Sequence, residues 1–243
     1  MSWRALQVVN VLEADPDLAD DLDNSRALAA SRRASAEIVR VSIGPWCPED
    51  AGGFGGLLIL DGLVTHRLAL GTRRSIELLG RGDFIQSHGR DANHRVVPAD
   101  TSWAVVEPVQ FAVLDGRFFR SMAEYPEVFA RLLSRATERA RTLSLRLAIA
   151  QVPKLTTRLH FLLWHLAERF GRVEPGGVIL PLQLSHGTLA ELVCAQRPSV
   201  SVALKELQRQ GVVARIAGGE WRLAGPEPAA WTAVPAHPRA IAA

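Results

Sequence analysis

The sequence predicts an α+β fold: a small antiparallel β domain, then a long helix, then a winged helix-turn-helix. Three observations lead to this prediction. Short strand-like runs broken by glycine and proline fill the chain from Glu37 to Asp115. A long helical repeat of apolar residues follows, and Pro153 ends it. Beyond Pro153 the elements come in the order helix, strand, helix, turn, helix and hairpin, which is the order of a winged helix.

The first 35 residues are expected to form a helical layer outside the β domain. Asp15 and Pro16 suit the start of a short acidic helix, and residues 25–34 suit a second one. Both are expected to be solvated covering helices without visible chemistry. The predicted organisation is a helical layer (1–35), a β domain (36–118), a long helix (119–152), a winged helix (153–224) and a flexible tail (225–243).

Composition limits the class of protein. At 243 residues with 48% hydrophobic content, the chain is long enough for two modest cores. It has no apolar run near the ~18 residues that cross a bilayer, and its first residues lack the pattern of a signal peptide. We therefore expect a cytoplasmic protein with no membrane partner. Cys47 and Cys194 lie far apart and outside any CxxC pair, so neither a zinc ribbon nor a disulfide is expected.

The long helix carries a heptad seam. Its apolar residues recur at alternating steps of four and three over three repeats, and small alanines in the seam permit close approach. The pattern favours a two-fold dimer through this helix, with flanking arginines keeping the other faces solvated. The alternative, that the stripe packs on the β domain of its own chain, stays open. The seam residues are Phe129, Leu133, Ala136, Ala140, Leu143, Leu147 and Ala150, and the flanking arginines are Arg131, Arg135, Arg139, Arg141 and Arg146.

Two short helices with a tight turn between them are predicted nearer the C-terminus. Ser185 suits the N-cap of the first helix, which runs to Val193. Arg197 and Pro198 restart the helical pattern, because proline is tolerated in a first helical turn. The second helix turns Val200, Ala203, Leu204 and Leu207 inward, and its other face carries Arg197, Ser201, Val202, Lys205 and Arg209.

A hairpin follows the second helix. Gly211 suits a helix stop, and two alternating runs, 212–216 and 220–223, are joined through Gly218 and Gly219. Upstream, an amphipathic helix over residues 156–170 and a short apolar strand over residues 178–182 complete the winged-helix order.

The outer face of the second helix indicates DNA binding. A mixed polar and basic stripe of this kind enters a DNA major groove. Positive charge also collects here, since residues 153–224 hold nine Lys and Arg side chains against five Glu, as a phosphate-binding module needs. The alternative is that the two helices are an ordinary pair of antiparallel helices in a core. The β-hairpin predicted directly after them disfavours this alternative.

The sequence resembles the Crp/Fnr family of bacterial transcription regulators. The resemblance rests on the small and apolar spacing of its helix-turn-helix, formed by Leu189, Ala190, Val193, Cys194, Ala195, Val200 and Ala203. It implies a cyclic-nucleotide-binding-like β-roll for residues 36–118 and a homodimer through the long helix. It also implies a near-palindromic DNA site with half-sites ~34 Å apart, and it makes RNA polymerase a candidate further partner.

The β domain resembles the family's β-roll in part. Residues 57–62 followed by Val64 are similar to its strand and glycine turn, and residues 82–85, G-D-F-I, match the segment before its phosphate-binding cassette. The cassette itself departs from the family, which continues with Gly-Glu-Leu and later presents Arg-Ser or Arg-Thr.

These departures bear on the ligand. Gln86, Ser87 and His88 stand where the family has Gly-Glu-Leu. Ala99 and Asp100 stand about where the Arg-Ser belongs, although Arg95 is near enough to leave that alignment open. A cyclic phosphate without its arginine would lose a bidentate contact, and Asp100 would repel it. We expect no cofactor and no control by cyclic AMP in the usual way, and whether another small effector binds stays open; the candidate pocket residues are Phe84, Gln86, Ser87 and His88.

The resemblance also assigns candidate DNA contacts. Arg197 corresponds to a guanine-contacting arginine, and a guanidinium pairs bidentately with guanine O6 and N7. Pro198 replaces a glutamate of the cyclic-AMP receptor protein and Val202 a second arginine, so a different recognised sequence is implied, with Val202 able to contact a thymine methyl. The remaining candidates are Gln196, Ser199, Ser201 and Lys205 for bases or phosphates and His186 and Thr188 for phosphates.

A different class of function is a metal-dependent, cupin-like enzyme on the β-roll. His66, His88 and His94 could converge as ligands, but the close His-x-His plus Glu pattern of such sites is missing. Cys47 is either a redox-sensing thiol or an inert turn residue, and the second is favoured because no basic cluster adjoins it. No nucleophile, carboxylate pair or phosphate loop indicates catalysis, so we expect no catalytic residue and no enzyme activity.

Overall fold

The structure, a computed structural model, describes residues 7–48, 55–86 and 99–225. The chain separates into two compact units, Met1–Ser144 and Leu145–Ala243. The Ser87, His88 and His94 predictions and the predicted tail beyond Gly225 lie outside the described residues.

The first unit is built on one antiparallel sheet with short helices beside it. In chain order its elements are β1 (Gln7–Asn10), α1 (Val11–Ala14), a 3₁₀ turn (Pro16–Ala19), α2 (Asn24–Ser31), β2 (Ser35–Val41), β3 (Gly44–Trp46), β4 (Gly56–Leu70), β5 (Arg73–Leu79), β6 (Phe84–Gln86), β7 (Asp100–Leu114) and α3 (Gly116–Ser121), followed by the start of α4 (Pro126–Gln151).

The sheet is a curled antiparallel half-barrel, as the strand pattern predicted. Its strand order is β1-β2-β7-β4-β5, with β3 paired to β7 and β6 paired to β4. Residues 57–60 are buried on both faces. Leu57 and Ile59 join the apolar core inside the roll. Leu58 and Leu60 join a second core, between the sheet and the helices, which is called the core under the sheet. Because successive strand residues point to opposite faces, an uninterrupted apolar run marks a strand that is covered on both sides.

The glycine turn expected at Gly62 is absent, and this expectation was wrong. β4 continues through Gly62 to Leu70, and the register of its pairing with β7 shifts between Ile59 and Val64. Gly62 has φ +91°, and an added Cβ would lie 2.3 Å from the carbonyl oxygen of Pro108. The glycine therefore forms a bulge that bends one long strand, and the chain reverses direction later, at Gly71.

The N-terminal segment differs from the expected solvated layer of helices. Residues 7–10 form a strand, β1, that pairs antiparallel with β2. Val11, Leu12 and Leu18 are buried in the same core as Leu114 and Phe118. These apolar residues lie among acidic and polar ones, so the sequence suggested solvated helices although one side of the segment is buried. The short helices are present, but they cover and complete the core.

The arginines of α4 do not simply keep its other faces solvated, as the sequence had suggested. Arg135 binds the carboxylate of Asp15, which is almost fully buried, and donates to the carbonyl oxygen of Gly82 at 3.1 Å. Arg131 Nε lies 2.6 Å from Asp21 Oδ2. Arg139 reaches the β-roll, as described below. The sequence alone suggests that arginines along a helix are solvated, because their acidic partners lie far away in the chain and come close only in the folded structure.

The second unit has the predicted winged-helix order. Its elements after α4 are α5 (Leu155–Phe170), β8 (Arg172–Glu174), β9 (Gly177–Leu180), α6 (His186–Leu192), α7 (Arg197–Arg209), β10 (Val213–Arg215), a 3₁₀ turn (Ala217–Gly219) and β11 (Trp221–Leu223). The strands form a sheet of order β10-β11-β9-β8. The strand β8 was not predicted, because its Arg-Val-Glu sequence is too short and too polar to stand out.

The end of α4 follows the predicted proline rule. The helix ends at Gln151, two residues before Pro153, since the residue that precedes a proline disfavours helical angles. Arg158 then holds the junction, because its guanidinium donates to the carbonyl oxygens of Val152 and Val193 at 2.7–3.0 Å. The connection into α5 and the end of α6 are thereby tied together within the second unit.

Candidate nucleic-acid interface and β-roll cavity

The turn between α6 and α7 is fixed by local backbone contacts. Ser185 caps α6, as predicted, with its hydroxyl accepting from the Thr188 N–H at 3.0 Å. Cys194 takes φ +53°, a left-handed conformation that residues other than glycine adopt rarely. Ala195 N–H then donates to Ala190 O at 2.9 Å. The sequence indicated a turn here, but the left-handed residue at its centre was not predicted.

The helix α7 buries one face and exposes the predicted one. Val200, Ala203, Leu204 and Leu207 are buried, as the apolar spacing indicated. Arg197 begins the helix, and Val202 is 70% exposed. The other candidate DNA contacts fall into two groups: Gln196, Ser199 and Lys205 are exposed, while Ser201, His186 and Thr188 are half-buried.

Arg209 differs from the rest of the stripe. It is exposed, but its guanidinium donates to both carboxylate oxygens of Glu206, at 2.8 and 3.0 Å. The same contacts, together with Gln210, lower the pKa of Glu206 to about 2. The positive charge of Arg209 is therefore offset locally, and it contributes less to phosphate attraction than the sequence implies.

His186 joins the two motif helices. Its Nδ1 lies 2.9 Å from Ser201 Oγ, and Ser201 Oγ donates to the carbonyl oxygen of Arg197 at 3.1 Å. Burial, followed by the positive charges of Arg215 and Arg197, lowers the pKa of His186. The structure thus brings together three predicted residues, and it adds Arg215.

Arg215 was missed by the sequence analysis. It ends strand β10, is exposed, and places its guanidinium carbon 5.4 Å from the centre of the Trp221 ring. The strand pattern did not mark it, because alternation places Arg215 on the same face as the buried Val213; an exposed basic residue on a wing suits a phosphate contact.

Inside the β-roll, polar and aromatic groups form a chain that ends on α4. His66 stacks on Trp103, with ring centres 4.1 Å apart, and Trp103 meets Trp46 edge to face. His66 Nδ1 lies 3.7 Å from Glu77, and Glu77 receives two hydrogen bonds of 2.7 Å from Arg139. Burial alone would raise the pKa of Glu77, but the bonds from Arg139 and His66 lower it to about 2. Glu77 is therefore held as a carboxylate.

A half-open cavity of about 500 Å³ lies between β6, α3 and α4. Two of the predicted pocket residues, Phe84 and Gln86, line it; Ser87 and His88 are outside the described residues. Its other lining residues are mostly apolar and come chiefly from α4: Phe119, Phe129, Leu132, Leu133, Ala136, Arg139, Ala140 and Leu143. The predicted pocket and the predicted dimer seam therefore share one surface.

The seam of α4 is open in the single chain. Leu133, Leu143 and Leu147 are 69%, 42% and 64% exposed, Ala136 and Ala140 are exposed, and Phe129 is half-buried. The helix instead packs through Val128 and Leu132, which join the core under the sheet. Phe129, at the start of the seam, packs against that core and stacks on Phe119 with ring centres 5.7 Å apart, whereas the leucines from Leu133 to Leu147 stay exposed.

The metal-enzyme alternative gains no support from the described residues. Within residues 7–48, 55–86 and 99–225, no three His, Cys, Asp or Glu side chains are grouped as metal ligands would be. His66 is engaged with Trp103 and Glu77 instead. Cys47 is half-buried and Cys194 exposed, both with free thiols. In the same described part of the chain, no helix combines the length and hydropathy that crossing a bilayer requires.

Comparisons with known proteins agree with this architecture. Residues 157–227 match the family model of the Crp-like helix-turn-helix domain. No significant similarity to a curated protein sequence was found.

Solved structures of the same fold cover most of the chain. A CooA mutant from Carboxydothermus hydrogenoformans is 19% identical, with 91% of this chain and 93% of that chain covered and a TM-score of 0.61. A CRP-family transcriptional regulator from Thermus thermophilus is 22% identical, with coverages of 76% and 91% and a TM-score of 0.54. CLP from Xanthomonas campestris, described as a c-di-GMP-responsive global regulator, is 18% identical, with coverages of 82% and 100% and a TM-score of 0.56. The chain therefore carries a Crp-like helix-turn-helix domain and has the fold of the Crp/Fnr family, as its motifs predicted.

Proposed function

We propose that this protein is a DNA-binding transcription regulator that acts as a homodimer on a near-palindromic site. The observation that carries the proposal is α7, which stands in a Crp-like helix-turn-helix with its apolar face buried and its polar and basic face exposed. A helix of this kind fits a major groove, and the exposed face supplies the side chains that contact it.

The seam of α4 supports the dimer. Three leucines on one stripe of a helix are exposed in the single chain, next to small alanines. Packing two such stripes together removes this apolar surface from water. A two-fold axis along α4 relates the two winged helices, so each α7 meets one half-site, with half-sites ~34 Å apart.

Arg197 is the proposed base-reading residue, and His186 and Thr188 the proposed phosphate contacts. Arg197 lies in the first turn of α7, where its side chain is exposed and can reach a guanine edge bidentately. Val202 offers an apolar contact to a thymine methyl. Gln196, Ser199, Ser201 and Lys205 complete the candidate surface.

The effector of the β-roll is proposed to be something other than cyclic AMP, or none. Gln86 stands in the sequence where the family's cyclic-nucleotide binders begin Gly-Glu-Leu, with its ribose-binding glutamate, and Asp100 opens β7 near the place of the phosphate-binding arginine. The description of CLP as c-di-GMP-responsive supports the idea that this fold serves other effectors. Contact with RNA polymerase stays a prediction.

Footprinting on the protein's own promoter region, with and without cyclic AMP and cyclic GMP, tests this function. A protected near-palindrome that neither nucleotide changes is the expected result. Strong dependence on either nucleotide contradicts the proposed effector independence, and the absence of any specific protection contradicts the regulator itself. The metal content of the purified protein distinguishes the regulator from the alternative of a metal-dependent enzyme.

Arg197→Ala tests the base-reading role. Losing a bidentate guanine contact should weaken binding to the protected site by about 1–3 kcal/mol and relax preference at one position per half-site. Arg32→Ala, which removes an exposed arginine from the first unit, is the matched control and should change nothing. Equal weakening on specific and random DNA would make Arg197 a phosphate contact instead.

A further inference from the structure

We propose that His186 holds the hydroxyl of Ser201 as a hydrogen-bond acceptor toward DNA, so that α7 selects, at that position, a base whose amino group points into the major groove. The proposal rests on the DNA-binding function above and names the chemistry that one of its residues reads. His186 is a positioning residue here, and Ser201 makes the contact.

The geometry leaves Ser201 no proton to offer to DNA. A serine hydroxyl has one hydrogen and two lone pairs. Ser201 Oγ lies 3.1 Å from the carbonyl oxygen of Arg197, which only accepts, and 2.9 Å from His186 Nδ1. If Nδ1 carries a proton, it donates to Ser201, and the serine proton goes to the Arg197 carbonyl. If Nδ1 is bare, the serine proton has two acceptors inside the protein. In both tautomers the hydroxyl proton is used internally, and a lone pair remains.

The Ser201 hydroxyl that carries this lone pair belongs to the face of α7 that is proposed to meet DNA. Ser201 is one helical turn after Arg197 and one turn before Lys205, so the three side chains follow one stripe of α7. Ser201 is half-buried and still partly open to solvent.

An acceptor on this stripe discriminates between base edges. In the major groove adenine N6 and cytosine N4 are donors, whereas guanine O6 and N7 and thymine O4 are acceptors. An acceptor that faces another acceptor leaves both unsatisfied, which is more costly than a missing contact on the surface. The arrangement therefore favours an amino group opposite Ser201.

The charges around His186 do not change this polarity. Burial, followed by the positive charges of Arg215 of β10 and Arg197 of α7, lowers the pKa of His186 and so favours the neutral imidazole. When the ring is protonated, Nδ1 is a donor to Ser201, and the serine proton still goes to the Arg197 carbonyl. The base preference at this position should therefore be the same on both sides of the His186 titration.

The test is a cycle between protein variants and base analogues in the footprinted site. Each adenine of a half-site is replaced by purine and each cytosine by 2-pyrimidinone, which remove single amino groups; 7-deazapurines remove N7 as a control. One amino deletion per half-site should weaken DNA binding by the wild-type protein about 2- to 10-fold, the range of one hydrogen bond. The same deletion should not weaken DNA binding by the Ser201→Ala variant, which lacks the hydroxyl. The N7 deletions should affect both proteins equally.

The role of His186 is tested in the same cycle. His186→Phe fills the space and removes the imidazole, so the Ser201 hydroxyl is held inside the protein by the Arg197 carbonyl without the second contact. The hydroxyl can then turn and donate to DNA more readily, so sensitivity to the amino deletion should fall, whereas His186→Gln, which keeps a polar partner, should retain more of it. Circular dichroism shows that each variant is folded.

If the effect of Ser201→Ala depended on an N7 deletion or on no base substitution, while specific binding was intact, the inference about Ser201 would be overturned but the regulator proposal would stand. Unchanged amino sensitivity in His186→Phe would overturn the positioning role. Absence of specific binding by the wild-type protein would overturn the regulator proposal itself, so the two failures are distinguishable.

Discussion

Glu77 is a residue at which burial and pairing oppose each other. Its side chain is 10% exposed, and a carboxylate in such a place is stable only when paired. Arg139 supplies two hydrogen bonds of 2.7 Å, and the pKa of Glu77 falls to about 2 although burial alone would raise it. The pair fastens α4 to the β-roll at the edge of the cavity.

Arg139→Met tests the importance of this pair for stability. The variant leaves Glu77 buried without its guanidinium partner and with His66 as the neighbour at 3.7 Å, so we expect a loss of up to about 3–5 kcal/mol in the free energy of unfolding, measured by urea denaturation at fixed protein concentration. The double variant Glu77→Gln with Arg139→Met should recover part of that loss, since no charge is then stranded. A loss below about 1 kcal/mol, typical of exposed pairs, would show that the pair is solvated.

His160 is a second residue whose charge state is set by its surroundings. Burial lowers its pKa below 6.5, and its Nε2 accepts a hydrogen bond from Trp164 Nε1 at 3.0 Å. Protonation at Nε2 would break that bond. His165 is affected similarly, since burial lowers its pKa while Glu168 opposes the shift in part.

We therefore predict that acid destabilises the second unit. The unfolded chain takes up protons at these histidines near pH 6.5, whereas the folded chain takes them up only at lower pH. Stability is thus complete above the unfolded pKa, falls as the pH drops through it, and levels off below the folded pKa. Thermal unfolding should occur at a lower temperature at about pH 5.5 than at about pH 7.5.

The control variant is His160→Gln with His165→Gln, which keeps a neutral side chain at both positions. It should show a smaller difference between the two pH values, while Glu77 and Glu206, whose pKa values are about 2, do not titrate in this window. An equal difference in the variant would assign the acid sensitivity to other groups.

At the scale of elements, α4 has two apolar sides with different uses. Val128 and Leu132 are buried in the core under the sheet, while Leu133, Leu143 and Leu147 remain exposed. Bonds from Arg131 and Arg135 to Asp21 and Asp15 fix the rotation of the helix within the first unit. That rotation leaves the seam facing outward.

Leu133→Glu is expected to convert a dimer into monomers. Two glutamates facing each other across a two-fold seam bring like charges into a surface that should be apolar. Analytical ultracentrifugation should then give about half the wild-type mass. Val173→Glu, at an apolar residue that is 89% exposed and outside the seam, is the matched control and should keep the wild-type mass. A monomeric wild-type protein would contradict the seam prediction directly.

At the scale of the whole molecule, the proposed dimer would place two winged helices on one DNA site and so double every phosphate contact. The logarithm of the binding constant falls with the logarithm of salt concentration by about 0.9 for each phosphate neutralised. Arg215→Ala, made in both copies of a dimer, should therefore reduce the slope by about 1.8. Arg32→Ala should leave the slope unchanged. A reduction of about 0.9 would indicate one bound winged helix for each site.

How far prediction reached depends on whether a feature has a local cause. The motif residues Ser185, Arg197 and Pro198 were placed correctly, because capping and proline rules act within one turn. Phe84 and Gln86, named as candidate pocket residues from a motif, line a cavity, and ligand binding there stays a prediction. Arg215 and β8 were missed because three-residue strands carry little pattern of their own.

The sequence by itself determined the fold class, the order helix, strand, helix, turn, helix and hairpin of the winged helix, and the exposed face of α7, since apolar spacing, caps and glycine positions act between near neighbours. Only the tertiary structure decided which arginines are paired, that β1 completes the sheet, and that Gly62 bends a strand instead of turning it. Arg135 and Asp15 are 120 residues apart, and Arg139 and Glu77 are 62 apart. No periodicity in the chain encodes such a pairing, because its energy depends on two surfaces that meet only after the sheet has folded.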